Sequence, residues 1–375
     1  MSNKLHIVSF NVPYPADYGG VIDVYNRLVA LHRLGVDIHL HTFTYGRPES
    51  KELEQCCTTV TYYRRHTGLA SAMGPKPYIV KSRQNNELLH NLQSDNAPIL
   101  LEGLHCCSVL EQLEGRRILV RAHNVEHEYY ARLAAAERNI FRRLYLRSEA
   151  RRLLRYEPIL LKSNAVLAVT QSDAEHFKAI GCHNVLLMPS SHNDDEVISL
   201  PNSDNDVSPR YVLYHADLSV PENIETVDYL CNNIFGRCPD IHFVVAGRNP
   251  SKRVTDSLAS HRNVSLVANP DDDSMRRLIQ DAQVLMLFTN FPTGLKLKLL
   301  NSLYAGRHCL VNSAMVAGTE LGRLCTVADT VEQQLQSLKT LIRQPFTKDN
   351  VDQRRTLLGS LYSNEANARI LLSQI

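Results

Sequence analysis

A short stretch of the chain, residues 293–306, combines glycine and lysine in a way that suits anion binding. It reads TGLKLKLLNSLYAG and follows the apolar run VLMLF at 284–288, which is typical of a buried parallel strand. The pattern predicts a loop and then a Leu-rich helix that ends at Gly306. The first amides of a helix are unsatisfied and its dipole is positive there. A strand–loop–helix that opens with Gly and two Lys therefore indicates an anion site.

Helical spacing favours one of the two lysines as the anion ligand. Gly294, Lys298 and Asn301 are four and three residues apart, so one helix face would hold all three. Lys296 is two residues from Lys298 and points elsewhere, although near a helix start its side chain can still swing to a phosphate. The alternative is that both lysines are ordinary surface residues of an amphipathic helix, and spacing alone leaves that alternative open.

Length and composition indicate a globular protein with two domains or more. The chain has 375 residues, of which 44% are hydrophobic and 21% charged. The net charge of +2 gives no general attraction to nucleic acid. Nine cysteines without a metal-like C-x-x-C pair favour reduced, buried thiols and hence the cytoplasm. The first residues do not resemble a signal peptide, and no apolar run approaches the roughly 18 residues that span a bilayer.

Strand and helix patterns alternate along the chain, which predicts an α/β fold with parallel sheets. A strand at 5–10, a Pro- and Gly-rich loop, a helix that stops at Gly35 and a strand at 36–43 form a first βαβ unit. Apolar runs predict further strands at 99–101, 118–120, 165–169, 185–188, 211–214, 241–245, 264–267, 284–288 and 309–311.

These patterns predict two Rossmann-like domains facing a central cleft. The first domain would span 1–189, a Ser-, Asn-, Asp- and Pro-rich linker 190–209, and the second domain 210–348. The remaining residues, 349–375, would form a C-terminal helix that packs back on the first domain. Because ligands of open α/β sheets bind outside the carboxyl ends of the strands, we expect a ligand in that cleft.

Five segments in order resemble a GT-B glycosyltransferase of family 4, the retaining type that uses nucleotide sugars. The resemblance covers nearly the whole chain and rests on PYPADYGG at 13–20, RAHNVE at 121–126, ADLSVPEN at 216–223, GRNP at 247–250 and the segment 294–306. It implies that the double glycine, Gly19 and Gly20, approaches the donor diphosphate, where only glycine lets the backbone come close. A plain turn before a helix is the alternative for these two residues.

The resemblance also implies a catalytic histidine. Members of the family carry a histidine just after a strand of the first domain, near the donor sugar, and His123 matches it. It would bind a sugar hydroxyl or stabilise charge. His105, which follows the strand at 99–101, is the competing assignment.

The chain departs from the family pattern at two positions that are often acidic, where it has Thr293 and Asn301. Asn301 can still exchange hydrogen bonds with a ribose, but it has no charge. The loop after the first strand of the second domain, 215–223, lacks the Arg and Lys that often bind the phosphates. The predicted cationic ligands are therefore Lys296, Lys298 and Arg248.

Three consecutive aspartates, Asp271–Asp273, have two interpretations. Paired carboxylates can hold a divalent cation on a diphosphate. These aspartates precede a predicted helix at 274–280, however, and Asp at a helix start commonly caps it. We therefore expect no metal cofactor.

The segment Arg132–Arg155 holds eight arginines against two glutamates, with leucine and tyrosine between them. This pattern is typical of a basic amphipathic helix on an anionic membrane surface, and equally of a solvated helix face. The membrane interpretation would place the protein peripherally at the inner membrane surface, where lipid-linked acceptors are found.

The favoured function is transfer of a hexosyl group from a nucleotide-diphosphate sugar to a hydroxyl of a carbohydrate or lipid-linked acceptor, in surface polysaccharide or glycoconjugate synthesis. Retention of configuration is implied by the resemblance alone. The nucleotide sugar is a co-substrate, and fixed lysines with a helix N-terminus would stabilise the departing diphosphate without a cofactor. Two alternatives stay open: a nucleotide-sugar epimerase-like enzyme, and a catalytically silent GT-B scaffold or binding protein.

Overall fold

Two α/β units make up the chain. The computed structural model describes residues 4–16, 19–137, 139–192, 197, 210–291 and 295–375. The first unit runs through Ser191 and also includes Asn364–Ile375, whereas the second runs from His192 through Ser363.

The first unit is built on seven strands: β1 (Lys4–Ser9), β2 (Asp37–Thr44), β3 (Thr59–Arg64), β4 (Ile99–Glu102), β5 (Ile118–Ala122), β6 (Ala165–Ala168) and β7 (Val185–Leu187). They form one parallel sheet in the order β3-β2-β1-β4-β5-β6-β7. The sheet has a hydrophobic core on each face, and adjacent residues of one strand pack into opposite cores, as Leu100 and Leu101 do. Burial on both faces explains why central strands such as β4 and β6 are almost entirely apolar.

Helices flank this sheet. They are α1 (Gly19–Arg33), α2 (Leu69–Ala72), α3 (Tyr78–Lys81), α4 (Asn86–Gln93), α5 (Glu126–Ala136), α6 (Ile140–Tyr156), α7 (Gln171–Ala179) and, from the end of the chain, α15 (Asn364–Leu372). Short 3-10 helices lie at Lys51–Gln55, Leu104–Gln112 and Glu157–Lys162.

The second unit has six strands: β8 (Tyr211–Asp217), β9 (His242–Arg248), β10 (Val264–Ala268), β11 (Val284–Leu287), β12 (His308–Val311) and β13 (Thr326–Val327). They are parallel, in the order β10-β9-β8-β11-β12-β13. Its helices are α8 (Pro221–Asn233), α9 (Lys252–Ala259), α10 (Asp272–Asp281), α11 (Leu297–Ala305), α12 (Ser313–Val316), α13 (Val331–Leu341) and α14 (Lys348–Leu361), with 3-10 helices at Phe235–Arg237 and Glu320–Leu324.

Both sheets reverse their strand order at one point, between β1 and β4 in the first unit and between β8 and β11 in the second. In open α/β sheets the loops diverge at such a point and leave a crevice outside the carboxyl ends of the two strands. The candidate functional residues of each unit lie at or near these ends, as described below.

The predicted parallel α/β fold is confirmed, and every strand predicted from an apolar run is present. Two strands were not predicted. β3 reads TVTYYR and lies at the sheet edge with only one of its six residues buried, so polar and apolar residues mix along it. β13 has two residues, too few to show a period.

The C-terminal segment differs from the prediction of one helix at 349–375, because it forms two helices that belong to different units. In α14, the buried Arg354 donates to the carbonyls of Leu303, Gly306 and Arg307 at the end of α11, which fixes α14 to the second unit. α15 belongs to the first unit, where Asn367 donates to the carbonyl of Pro189 over 2.7 Å. Of the predicted linker 190–209, only 190–192 and 197 are among the described residues.

None of the helices within the described ranges has both the length and the apolar character needed to cross a bilayer.

Candidate functional site

Five ionisable side chains meet at the carboxyl ends of β4 and β5 in the first unit. Glu102 is the last residue of β4, Arg121 lies in β5, and His123 follows β5 directly. Asp23 and Arg27 come from α1, where a separation of four residues puts them on one helix face. All except His123 are buried.

Each buried carboxylate in this cluster binds two partners. Asp23 accepts from Arg27 Nη2 over 2.6 Å and from Arg121 Nε over 3.0 Å. Glu102 accepts from Arg27 Nη1 and from His123 Nε2, the latter over 3.0 Å. Two carboxylates therefore face two guanidinium groups, whose charges balance.

The arginines keep both carboxylates ionised. Burial by itself would raise the pKa of Asp23, but the Arg121 and Arg27 guanidiniums hold that pKa far below its usual range. Burial likewise opposes ionisation of Glu102, yet Arg27 and the hydrogen bond from His123 leave the pKa of Glu102 below its ordinary value. Asp23, Glu102 and His123 offer possible metal-ligand atoms within 4.8 Å of one another. Because the arginines already neutralise the carboxylates, this cluster has little need of a divalent cation.

His123 is oriented by the cluster. Its side chain is 11% exposed, Nε2 bonds Glu102, and Nδ1 lies 3.7 Å from Asp23 Oδ2. Since Glu102 is ionised, Nε2 is assigned as the protonated nitrogen that donates to it. Both ring nitrogens thus point toward buried carboxylates, so His123 can present a nitrogen to a ligand only if the ring rotates away from Glu102.

The competing histidine lies beside His123. The ring of Phe10 is 5.3 Å from the ring of His105 and 5.5 Å from that of His123. Gly103 directly follows Glu102, the last residue of β4, and has a φ of 80°. A Cβ at Gly103 would lie 2.8 Å from His105 Nδ1. His105 Nδ1 is buried without a hydrogen-bond partner among the described residues, and burial holds the pKa of His105 well below its ordinary value. His105 is therefore neutral.

The predicted double glycine opens α1, four residues before Asp23. A Cβ at Gly20 would lie 2.7 Å from Phe10 Cζ, so any other residue here would require the Phe10 ring to shift. Gly19 is exposed at the helix start, where backbone amides lack intrahelical partners. Gly20 thus has a packing role that is independent of any phosphate.

A further acidic residue, Glu126, is buried three residues after His123, at the start of α5. Burial raises the pKa of Glu126 to about 7, against a hydrogen bond from Asn124 and the charge of Arg83, which both lower it. A buried acid that titrates near neutrality is often part of a functional site.

In the second unit, Lys298 lies in the first turn of α11. Its Nζ donates to Asn223 Oδ1 over 3.1 Å and lies 5.6 Å from the centre of the Tyr214 ring. Burial lowers the pKa of Lys298 to about 8, opposed by the nearby carboxylate of Glu222. A desolvated ammonium in the first turn of a helix is a strong candidate ligand for an anion.

Polar side chains from the neighbouring loops surround Lys298. His215, near the end of β8, bonds Ser302 Oγ through Nε2 over 2.8 Å, and burial lowers the pKa of His215 to about 3. Glu222 accepts from the hydroxyl of Thr289, which follows β11. The loop between β8 and α8, residues 218–220, has no cation, but the first turn of α8 supplies Glu222 and the amide of Asn223.

The remaining predicted ligands of the second unit are less closely associated with Lys298. The helix begins at Leu297 with Lys296 as its N-cap, so Lys298 and Asn301 share a helix face and Lys296 precedes it. Arg248 ends β9, is half-exposed and pairs with Asp272 over 3.0 Å. The predictions for Thr293 and Gly294 lie outside the described residues.

The aspartates at 271–273 follow the capping interpretation. Asp271 Oδ1 accepts from the backbone N–H of Ser274 over 2.7 Å and caps α10. Asp272 is the partner of Arg248.

Sequence reasoning missed Asp23, Arg27, Glu102 and Arg121. The signal was present in the strands, because Glu102 ends the run ILLE and Arg121 interrupts ILVRA. A charge inside a buried strand requires a partner of opposite charge. In α1 the buried face carries Asp23 and Arg27 beside Val24 and Leu28, so the two charged residues share the face that packs on the sheet.

Comparison with known proteins identifies the class of fold. HepE of Anabaena, solved in complex with UDP and glucose, is 10% identical with a TM-score of 0.67, covering 99% of this chain and 98% of HepE. The lipopolysaccharide outer core galactosyltransferase WaaB, in its apo form, is 11% identical with a TM-score of 0.64, covering 99% of this chain and 98% of WaaB. The chain therefore has the GT-B fold of these glycosyltransferases.

A relative is found by sequence in Klebsiella pneumoniae. It is an uncharacterized 44.6 kDa protein in the cps region, 25% identical over an alignment 363 positions long, and the match covers 88% of this chain and 86% of that protein. No protein-family model matches the chain.

We predict that Glu126 makes stability depend on pH. Its folded pKa of about 7 exceeds the usual 4.5, so the folded state binds more protons between these values and stability falls as pH rises through that window. The free energy of unfolding of Glu126→Gln, measured with urea, should therefore rise relative to that of the wild type by up to about 3 kcal/mol between pH 5 and pH 8. The exposed neighbour Glu128 provides the control, because Glu128→Gln should show no such trend. The same change of stability with pH in both variants would contradict the assignment of this pH dependence to Glu126.

Proposed function

We propose that the protein transfers a sugar from a nucleotide-diphosphate donor to a hydroxyl acceptor. The observation that carries this proposal is Lys298, a desolvated ammonium in the first turn of α11 that also contacts Asn223 in the first turn of α8. The GT-B fold supports it, as do the UDP bound to HepE and the galactosyltransferase activity in the name of WaaB. A hexosyl donor and retention of configuration are part of this proposal.

Lys298 serves the departing diphosphate. As the glycosidic bond breaks, the leaving phosphate gains negative charge, and an ammonium with a helix N-terminus stabilises that charge without reorganising. With a pKa of about 8, Lys298 is largely protonated at pH 7. Lys296, at the N-cap of the same helix, adds a second positive charge close to it. This arrangement performs the electrostatic work without requiring a metal ion.

His123 serves the sugar in this proposal. It is the one member of the cluster in the first unit that is not fully buried, and Glu102 fixes its protonated nitrogen. Asp23, Arg27 and Arg121 hold Glu102 and His123 in place as positioning residues. A rotation of the imidazole off Glu102 would present a nitrogen to a sugar hydroxyl.

The acceptor is proposed to be carbohydrate or lipid-linked, and the α5–α6 hairpin (residues 126–156) bears on this choice. Large apolar side chains are exposed on it, at Tyr129, Leu133, Ile140, Phe141, Leu144, Tyr145 and Leu154. Exposed arginines accompany them, at Arg142, Arg147, Arg151 and Arg155. Apolar side chains among arginines suit an anionic membrane surface, where the acceptor of a surface polysaccharide would be anchored.

A catalytically silent binding protein is the second candidate. The observation that favours it is the orientation of His123, whose two ring nitrogens both point toward buried carboxylates. Asn301, which has no charge, is consistent with it. Transfer or hydrolysis of a nucleotide sugar by the purified protein separates the two candidates.

Lys298 should give nucleotide binding a characteristic pH dependence. Between pH 7.5 and 9.5 a nucleoside diphosphate is fully ionised, so affinity should fall as Lys298 loses its proton. Lys298→Arg stays charged and should bind UDP independently of pH. Lys298→Met should lose tenfold or more at pH 7.5, roughly 1.5–3 kcal/mol, in calorimetric titration. Lys296→Met is the matched control with a smaller loss, and equal losses in both variants would favour ordinary surface lysines.

His123 should matter for turnover more than for nucleotide binding. His123→Ala should lower kcat and kcat/KM together by about 10²-fold, with UDP affinity nearly unchanged, because the group acts mainly in the transition state. Donor turnover and a binding titration measure the two effects, and the melting temperature verifies folding. His105→Ala is the comparison. Loss of turnover in His105→Ala with wild-type turnover in His123→Ala would assign the role to His105. Unchanged turnover in both would favour the silent protein.

The α5–α6 hairpin should bind anionic membranes. Co-sedimentation with phosphatidylglycerol vesicles should exceed that with phosphatidylcholine vesicles and weaken with salt, because the arginines attract the anionic lipid. The double variant Phe141→Ser, Leu144→Ser should bind about tenfold or more weakly, since it removes two insertable apolar groups. Val327→Ser, which alters an exposed apolar residue of the second unit, is the control. Equally strong vesicle binding by the wild type and the double variant would support a solvated helix face.

A further inference from the structure

A second cluster of ionisable side chains lies in the first unit, separate from the one around His123. His127 Nδ1 is 3.2 Å from Glu157 Oε1, and His176 Nε2 is 2.7 Å from Glu157 Oε2. One potential ligand atom from each residue lies within 4.8 Å of the other two. Glu157 is buried, and both imidazoles are largely covered.

The three residues come from three different elements. His127 is the second residue of α5, Glu157 follows the last residue of α6, and His176 lies in α7. The cluster therefore joins the first turn of the α5–α6 hairpin to its last turn, and both to α7. It lies at the base of the hairpin that exposes Phe141 and Leu144.

Glu157 differs from the carboxylates of the other cluster in its lack of a permanent cation. Asp23 and Glu102 each bind guanidinium groups. Within the described part of the chain, neither an arginine nor a lysine pairs with Glu157, whose partners are the two imidazoles. A buried carboxylate without a cation is costly, and either a protonated histidine or a metal ion would offset that cost.

The donor set suits zinc. Two imidazoles and one carboxylate are a common three-residue set for Zn²⁺, with the fourth position left to water. Tetrahedral bonds of about 2.0–2.1 Å place ligand atoms about 3.3 Å apart. His127 approaches Glu157 Oε1 at 3.2 Å and His176 approaches Oε2 at 2.7 Å, so binding through one oxygen requires the carboxylate and the imidazoles to reorient. One ligand atom from each residue already lies within 4.8 Å of the other two, which keeps that reorientation local.

One nearby acidic group strengthens the attraction for a cation. Asp173 precedes His176 by three residues on α7, so the two share a helix face. Its Oδ2 is buried and has no hydrogen-bond partner among the described residues.

We propose that His127, Glu157 and His176 bind one Zn²⁺ ion, which clips the base of the α5–α6 hairpin to α7. The site does not depend on the proposed sugar transfer, because none of its residues takes part in that reaction. Its occupancy would stiffen the hairpin near its exposed apolar surface.

The test is zinc binding by the chelator-stripped full chain, measured in competition with a chromophoric chelator. The wild type should bind one equivalent. His127→Gln and His176→Gln should each weaken binding at least tenfold, because glutamine keeps a hydrogen-bond donor but is a poor zinc ligand. His90→Gln, at an exposed position, should bind as the wild type does. Co²⁺ in place of Zn²⁺ should give the visible absorption of a tetrahedral site in the wild type and in His90→Gln, and in neither cluster variant.

Hydrogen exchange tests the clip itself. Zinc should slow amide exchange in residues 126–136 and 140–156 of the wild type and leave exchange in His176→Gln unchanged. Wild-type zinc affinity in both cluster variants would overturn the site, and so would loss of binding in Glu102→Gln alone. Zinc binding without slower exchange would overturn the clip. Neither result bears on nucleotide binding at Lys298, so the two proposals fail separately.

Discussion

The ion pair between Asp23 and Arg121 is the interaction on which the first unit depends. It joins α1 to β5, two elements far apart in sequence, through a contact in which both groups are almost completely buried. Arg27 extends it to Glu102 at the end of β4. Removing one member would leave a buried charge without its partner, which typically costs about 3–5 kcal/mol. The position of His123 follows from this network, because Arg27 holds Glu102 in place as the hydrogen-bond partner of His123.

The two units handle buried charge in different ways. In the first, opposite charges neutralise one another and hold a geometry. In the second, Lys298 has an amide and an aromatic face as its nearest partners, and burial lowers its pKa. A charge that is incompletely compensated gains most from an arriving anion. The first cluster is therefore suited to orienting a group, and the second to attracting one.

The sequence predicts the fold better than the site. Apolar runs such as those of β4 and β5 are buried on both faces, so they appear directly in the pattern, and the edge strand β3 does not because it is half solvated. The place of Lys298 near the start of a helix was predicted because a helix is formed by residues close together in sequence. The Asp23–Arg121 pair is formed by folding across 98 positions, and single-chain spacing has no means of showing it. An arginine within the apolar strand sequence ILVRA indicates that Arg121 has a partner of opposite charge, but it does not show which residue that partner is.

The last helix, α15, belongs to the unit that the start of the chain forms, and this has a consequence for synthesis of the protein. Ala368 and Leu371 are buried in the same core as Leu28 and Leu31 of α1, so the first unit lacks part of its interior until residues 364–375 have been made. Domains usually fold in the order in which the ribosome releases them. Here the sheet that is translated first must wait for the second unit to emerge before its core is closed. During that interval the apolar residues of α1 that pack on α15 lack their partners.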